Sequence, residues 1–249
     1  MGGKNAIIVL DDANFDLAVD AILWAAFGTT GQRCTACSRL IAQKGIAPKL
    51  REALVERTKQ LRLGDGLLPT TDVGPVINGA ALKRIAEYVE IGKQAGARVL
   101  TGGGVYRDAG RGFFFEPTLF DGVQAGMRIE KEEIFGPVLS IVEVESLAEA
   151  VRVNNDSSFG LSSSIFTQDV NKAFAAMRDI TTGLVYVNHG TTGAEIQFPF
   201  GGTRGTGNGQ REAGQVGLDV FSEWKSIYVD FSGQLQRAQI DTDKILGEG

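Results

Sequence analysis

Soft metal ligands are scarce in this 249-residue sequence, which has two cysteines, Cys34 and Cys37, and one histidine, His189. They cannot complete a four-ligand zinc site by themselves, and two thiols cannot frame a disulfide-stapled fold. No metal site is expected, and the cysteine usage suits a reducing cytoplasm. Long apolar runs are also missing: the longest is the seven residues from Ala21 to Phe27, against about 20 needed to cross a bilayer. A membrane partner is not expected. Basic excess is absent as well, since 25 Lys and Arg face 30 Asp and Glu, a net charge of −5 with no attraction for phosphate backbones. Nucleic acid is therefore not expected as a partner. The first residues, Met-Gly-Gly-Lys, carry no charged-then-apolar pattern, so no targeting address is expected there.

What remains is an ordinary globular composition, 43% hydrophobic and 22% charged, with an unusual 33 glycines that cluster at 102–104 and 201–209. Such clusters mark tight turns and close backbone approaches. The elements alternate in kind. Ala6 to Leu10 is a short apolar run, and Asp16 to Phe27 then places Leu17, Ala21, Ile22 and Ala25 at helical spacing. Leu40 to Gln43 reads as a strand, and Pro48 opens a helix with Leu50, Ala53, Leu54 and Leu61 on one face. Leu82, Ile85, Ala86 and Val89 mark another helix, and Arg98 to Leu100 a strand.

Ser140 to Val144 reads as a buried strand, with Ser146 and Glu149 as the capping box of the helix that follows. Leu161 to Thr167 and Leu184 to Val187 read as strands, separated by a helix whose face holds Val170, Ala173, Phe174 and Met177. This alternation predicts an α/β fold, a mostly parallel sheet flanked by helices, over residues 1–220. Residues 221–249 read as a lone strand, Tyr228 to Phe231, leaving the domain, followed by a polar tail.

Chemistry concentrates at Cys34, in the segment Phe27-Gly-Thr-Thr-Gly-Gln-Arg-Cys34-Thr-Ala-Cys37-Ser-Arg39 between a long helix and a strand. Gly28 and Gly31 open the backbone to a ligand and Arg33 adds positive charge, conditions that favour a thiolate nucleophile. Two other readings stand beside it: a small buried hydrophobe, and a C-x-x-C redox pair with Cys37. The redox reading fits poorly, because the preceding element is a long helix rather than a first strand.

The segment from Phe27 through Gly31-Gln32, Cys34 and Ala36 to Arg39 resembles the cysteine signature of the NAD(P)-dependent aldehyde dehydrogenases. Gly2-Gly3-Lys4 is similar to that family's glycine-glycine-lysine, Lys131-Glu-Glu133-Ile-Phe135-Gly-Pro137 to its cofactor-contacting segment, Asn188 to its strand-end asparagine, and Pro199-Phe-Gly-Gly202 to its pocket loop. The resemblance covers residues 2 to about 231. It implies a Cys34 nucleophile, Glu133 and Phe135 at an NAD or NADP nicotinamide ribose, and Arg33, Thr35, Asn188 and Phe200 at a small-molecule aldehyde. It further implies a homo-oligomer assembled through the last strand.

Family members carry a general-base glutamate two residues before the first glycine of the glycine-glycine-lysine, a position with no residue here. The chain is therefore expected to correspond to the catalytic half, without dehydrogenase turnover by itself. Ala81 and Arg84 stand where many members place a glutamine and a lysine near the adenine ribose. The pocket loop from Gly193 to Phe200 is similar to that of members acting on carboxylated semialdehydes, and His189 reads as a loop residue. A non-catalytic oligomerisation module retaining the fold is the competing expectation.

Overall fold

A computed structural model describes residues 2–234. Its centre is a seven-stranded sheet. The first strand, β1 (Asn5–Val9), is wholly buried and feeds helix α1 (Phe15–Phe27), after which β2 (Cys37–Gln43) pairs parallel to β1. Helices α2 (Ala47–Lys59) and α3 (Gly79–Gln94) follow, then β3 (Arg98–Thr101), the hairpin β4 (Val105–Tyr106) and β5 (Phe114–Phe115), and β6 (Thr118–Asp121). A short α4 (Arg128–Lys131) precedes β7 (Val138–Val144) and α5 (Leu147–Asn155). The order closes with β8 (Phe159–Gly160), β9 (Ser162–Phe166), α6 (Val170–Asp179), β10 (Leu184–Val187), β11 (Thr203–Arg204) and α7 (Gly217–Val220).

The sheet order is β10-β9-β1-β2-β7-β6-β3, every pair parallel except β3 with β6. Alternation along β1 divides the core into two layers. Ile7 and Val9 pack toward α1 and α2, meeting Val19, Ile22, Leu50 and Leu54, whereas Ala6 and Ile8 pack toward Ile85 and Val89 of α3 and Ala150 of α5. A strand covered by helices on both faces must be apolar at every position, which is why β1 reads as an unbroken run rather than an alternating one.

Two expectations change on contact with the structure. Helix α6 does not bury the face expected of it: Ala173 and Ala176 face inward, while Val170, Phe174 and Met177 are 63%, 66% and 40% exposed. Alanines let the helix approach α5 and β9 closely, so small residues form the seam and the larger ones are left outside. The expected strand near Tyr228 makes no ladder bonds within the described residues, and Trp224, Ile227, Tyr228, Val229 and Phe231 stand exposed. The rest of the expected tail, residues 235–249, lies outside the described residues. The α5 cap forms with a shift: Ser146 Oγ accepts the Glu149 N–H at 3.3 Å, but the Glu149 carboxylate reaches back to the N–H of Glu145, one residue before Ser146.

Candidate active site

The turn between α1 and β2 carries Cys34, exposed, while Cys37 opens β2 in the core. Burial pushes the Cys37 thiol up to about 12, and its Sγ donates to the Arg39 carbonyl at 3.3 Å. A thiol so placed is a poor redox partner, which disfavours the C-x-x-C reading.

Three contacts fix the shape of the cysteine turn. At φ +65° Gly31 occupies the left-handed region, and a Cβ there would lie 2.0 Å from the Gly136 carbonyl oxygen, so only glycine fits on both counts. This contact joins the turn to the segment holding Glu133 and Phe135. Thr30 and Phe135, on either side of that contact, also have positive φ (58° and 55°), a conformation costing roughly 1–3 kcal/mol in a β-branched or bulky residue. Thr30 is held there by its hydroxyl, which donates to Gly74 O at 3.0 Å. Gln32 completes the clamp by donating to Pro75 O and accepting the Ile77 N–H.

The strand entering β1 lies between the two segments. A Cβ on Gly3 would sit 2.3 Å from Cys34 O and one on Gly2 would sit 2.5 Å from Glu133 Oε2, so paired glycines are what let the backbone pass. Gly3 N–H donates to Glu133 Oε1 at 3.0 Å. Asn5, buried, donates to both Cys34 O (2.7 Å) and Ala36 O (2.9 Å) and accepts the Ser162 N–H (3.1 Å). Burial raises the Glu133 carboxylate's proton affinity, opposed by the Gly3 N–H and by the positive charges of Lys4 and Arg84. Arg84 Nε also donates to Ile134 O, placing its guanidinium beside the Glu133 segment.

Cys34 and Phe200 line one cleft of about 590 Å³, shared with Gly2, Leu161, Thr206 and Glu212. Phe200 and Glu212 exchange backbone hydrogen bonds at 2.6 and 2.7 Å, fixing the loop that carries the ring. Thr35 is buried, and its carbonyl accepts the Thr191 hydroxyl at 2.8 Å, so it acts on the loop as backbone. Arg33 is exposed and forms no ion pair among the described residues.

Asn188 is placed elsewhere. It ends β10, whereas Cys34 precedes β2, and in parallel strands these are opposite ends of the sheet, about 16 Å apart for five residues. Its carboxamide accepts the Thr167 N–H and donates to Thr167 O, both at 3.0 Å, and its φ is +54°. Asparagine tolerates that conformation better than most residues and here reverses the chain. The returning segment lies along β9, with Ser164 Oγ donating to His189 O and Ser162 Oγ to Thr191 O, and so reaches the Cys34 end. Asn188 thus aims the pocket loop rather than lining the pocket. Replacing it with Ala is expected to cost about 1–3 kcal/mol, checked by urea unfolding, with Asn188→Gly recovering the backbone share. Equal losses for both variants would disprove the backbone share.

Asn5 and Thr191 escaped the sequence reading, which named Lys4 only as part of the Gly2-Gly3-Lys4 match. A polar residue opening an otherwise apolar strand was the available signal for Asn5.

Comparison with known proteins agrees with this architecture. The sequence matches the aldehyde dehydrogenase family over residues 1–227. It is 41% identical over 234 residues to an alpha-ketoglutaric semialdehyde dehydrogenase of Bacillus subtilis, covering 92% of this chain and 47% of that one. A betaine aldehyde dehydrogenase of Mesorhizobium japonicum is 40% identical over 233 residues, with the same two shares. A crystal structure of betaine aldehyde dehydrogenase from Staphylococcus aureus in complex with NAD+ superposes with a TM-score of 0.91 at 36% identity, over 96% of this chain and 48% of that one. The chain therefore spans about half the length of the relatives it matches. Sequence and fold together place this chain in the aldehyde dehydrogenase family.

Proposed function

We propose that this chain supplies the nucleophile-bearing half of an NAD(P)-dependent aldehyde dehydrogenase, with Cys34 as the residue that bonds the substrate. The observation that carries the reading is the exposed Cys34 in a cleft shared with Phe200, on a turn pinned by Asn5 and Gly31. The Cys34 thiolate adds to an aldehyde carbonyl carbon, forming a C–S bond while the carbonyl π electrons move to oxygen. The Cys34 backbone N–H is a donor available to that oxygen, and Asn5 anchors the Cys34 backbone through its carbonyl, in the next peptide unit.

The residues present fit a dinucleotide. Glu133 has one carboxylate oxygen on the Gly3 N–H and the other, beside Gly2, without a hydrogen-bond partner among the described residues, suited to a ribose hydroxyl, and Phe135 offers a partly exposed ring on the same segment. NAD(P)+, when bound, supplies the hydride acceptor. Arg33 and Phe200 flank the aldehyde, and Thr35 sets the turn from its backbone. A carboxylated semialdehyde is the proposed substrate class, since the unpaired Arg33 guanidinium suits a substrate carboxylate. The exposed apolar residues at 224–231 suit assembly with further copies of the chain.

Glu133 offers a dinucleotide only one or two charge-assisted hydrogen bonds, about 1.5–3 kcal/mol each, against a larger ordering cost. The 249 residues by themselves are therefore expected to acylate without sustained NAD(P)H production. Stopped-flow release of nitrophenol from a nitrophenyl ester should show a burst of about one equivalent, absent in Cys34→Ser. A parent chain with no burst, or a burst surviving in Cys34→Ser, would sink the assignment.

A further inference from the structure

Lys4 is an anomaly in the core of this chain. The residue is 2% exposed, and among the described residues its Nζ has no hydrogen-bond partner. Burial and the neighbouring Arg39 guanidinium lower its proton affinity to about 7, opposed by Glu130, Glu133 and Cys37. An enclosed ammonium needs compensation from somewhere, because an uncompensated buried charge is among the costliest groups in a fold.

Two carboxylates, Glu130 and then Glu133, oppose the loss of the Lys4 proton, and they differ in their other commitments. Arg39, from β2, is saturated: it donates twice to the Lys4 carbonyl and once each to Glu130 Oε1, Val153 O and Asn154 O. Glu130, from α4, is also committed, its Oε1 to Arg39 and its Oε2 to the Gly126 N–H, with Lys131 Nζ 3.3 Å away. Cys37 is neutral across the physiological range. Glu133 is the acidic group with spare capacity, holding among the described residues a single hydrogen bond, from the Gly3 N–H. Chain direction agrees: a Cβ on Gly2 would point at Glu133 while Gly3 points at Cys34, so in the extended entry to β1 the even-numbered residues face the Glu133 side.

We propose that Lys4 is the positioning residue of Glu133. Its enclosed ammonium keeps the carboxylate ionised and seated on the Gly3 N–H, so that the second oxygen is presented to a ligand hydroxyl. Glu133 in turn shares with Glu130, the larger opposing charge, in compensating the buried cation, and Glu133 and Lys4 titrate as a coupled pair. Charges facing this pair are Arg39 of β2, Glu130 and Lys131 of α4, Arg84 of α3 and the chain's α-amino group, an amine whose ordinary range also lies near neutrality. A step near neutrality that persists once the α-amino group is acetylated therefore belongs to Lys4. The inference takes from the preceding section only that Glu133 faces a ligand; the coupling itself is measured with no ligand present.

The test follows the Gly3 amide by ¹H–¹⁵N NMR of the whole chain, its α-amino group acetylated, between pH 4 and 9. The parent should show two inflections, an acidic one from Glu133 and one near neutral pH from Lys4. In Lys4→Arg the near-neutral inflection should vanish with the acidic one retained. In Lys4→Met the acidic inflection should move up by about one pH unit, a tenfold change in proton affinity. Should Lys4→Met not fold, Glu133→Gln decides, because the near-neutral inflection read at the Lys4 amide should then move down. A single acidic inflection unmoved by Lys4→Met, or a Lys4 midpoint unmoved by Glu133→Gln, overturns the proposal. Neither result bears on whether Cys34 is the nucleophile.

Discussion

Replacing Arg39 with methionine is expected to destabilise the chain by about 3–5 kcal/mol, a large share of the 5–15 kcal/mol that holds a typical domain together. Arg39 is 1% exposed yet engages every edge of its guanidinium, joining β2 to the entry of β1, to α4 and to the end of α5. Methionine fills comparable volume, so the loss measured is polar rather than a cavity. Removing Arg39 takes the guanidinium from Oε1 of the fully buried Glu130 carboxylate, leaving the Gly126 N–H and Lys131 at Oε2. A buried ion pair can often be exchanged for apolar residues at little cost, which raises the question of whether Arg39→Met with Glu130→Leu would recover the loss. It should not. Three of the acceptors served by Arg39 are the backbone carbonyls of Lys4, Val153 and Asn154, and no side-chain replacement at position 130 satisfies those. Urea unfolding of the parent, both single variants and the double should show the double no more than about 1–2 kcal/mol better than Arg39→Met. Full recovery would mean that the carbonyl bonds contribute little.

Arg39 also illustrates what the sequence made legible and what it did not. Hydrophobic period and helix caps located β1, α1, α2, α3, β7 and α5 closely, because burial on two faces or one leaves a direct imprint on residue order. The two-residue ladders of β4, β5, β8 and β11 left no imprint, since two residues cannot establish a period, and the four-residue β6 went unread although β3 and β10, equally short, were read as strands. The α6 face was misread because periodicity reports that a helix has an apolar side, without reporting whether alanines or larger residues meet the core. Cys34, Glu133 and Phe200 were legible through resemblance, and the fold brings them to one end of the sheet. Asn188 was legible as an asparagine at a strand end, but its task, reversing the chain in a left-handed conformation, depends on a β9 of three serines narrow enough for the returning loop to lie upon. Lys4 and Arg39 were invisible as a pair because their meeting depends on long-range pairing of β1 with β2.

Native-state alkylation is expected to separate the two cysteines by at least about a thousandfold. Cys34 is exposed on its turn, whereas Cys37 sits in the core with its proton affinity pushed up to about 12. At pH 8 such a thiol is thiolate in only about one molecule in ten thousand, and the thiolate is the reacting species. Burial adds a second barrier, because the reagent reaches Cys37 only when the centre of the sheet opens, and central strands open near the global unfolding free energy. The two barriers give different signatures. If ionisation governs, Cys37 labelling rises tenfold per pH unit; if opening governs, it follows denaturant concentration instead. The Cys34 rate should be insensitive to sub-denaturing urea. Iodoacetamide labelling at pH 7 to 9 with peptide mapping measures both sites together, and Cys34→Ser should leave the native chain almost unlabelled while urea restores one equivalent at Cys37. Comparable labelling of the two thiols in the native chain would mean that Cys37 reaches solvent, and would return the C-x-x-C pair to contention as redox chemistry.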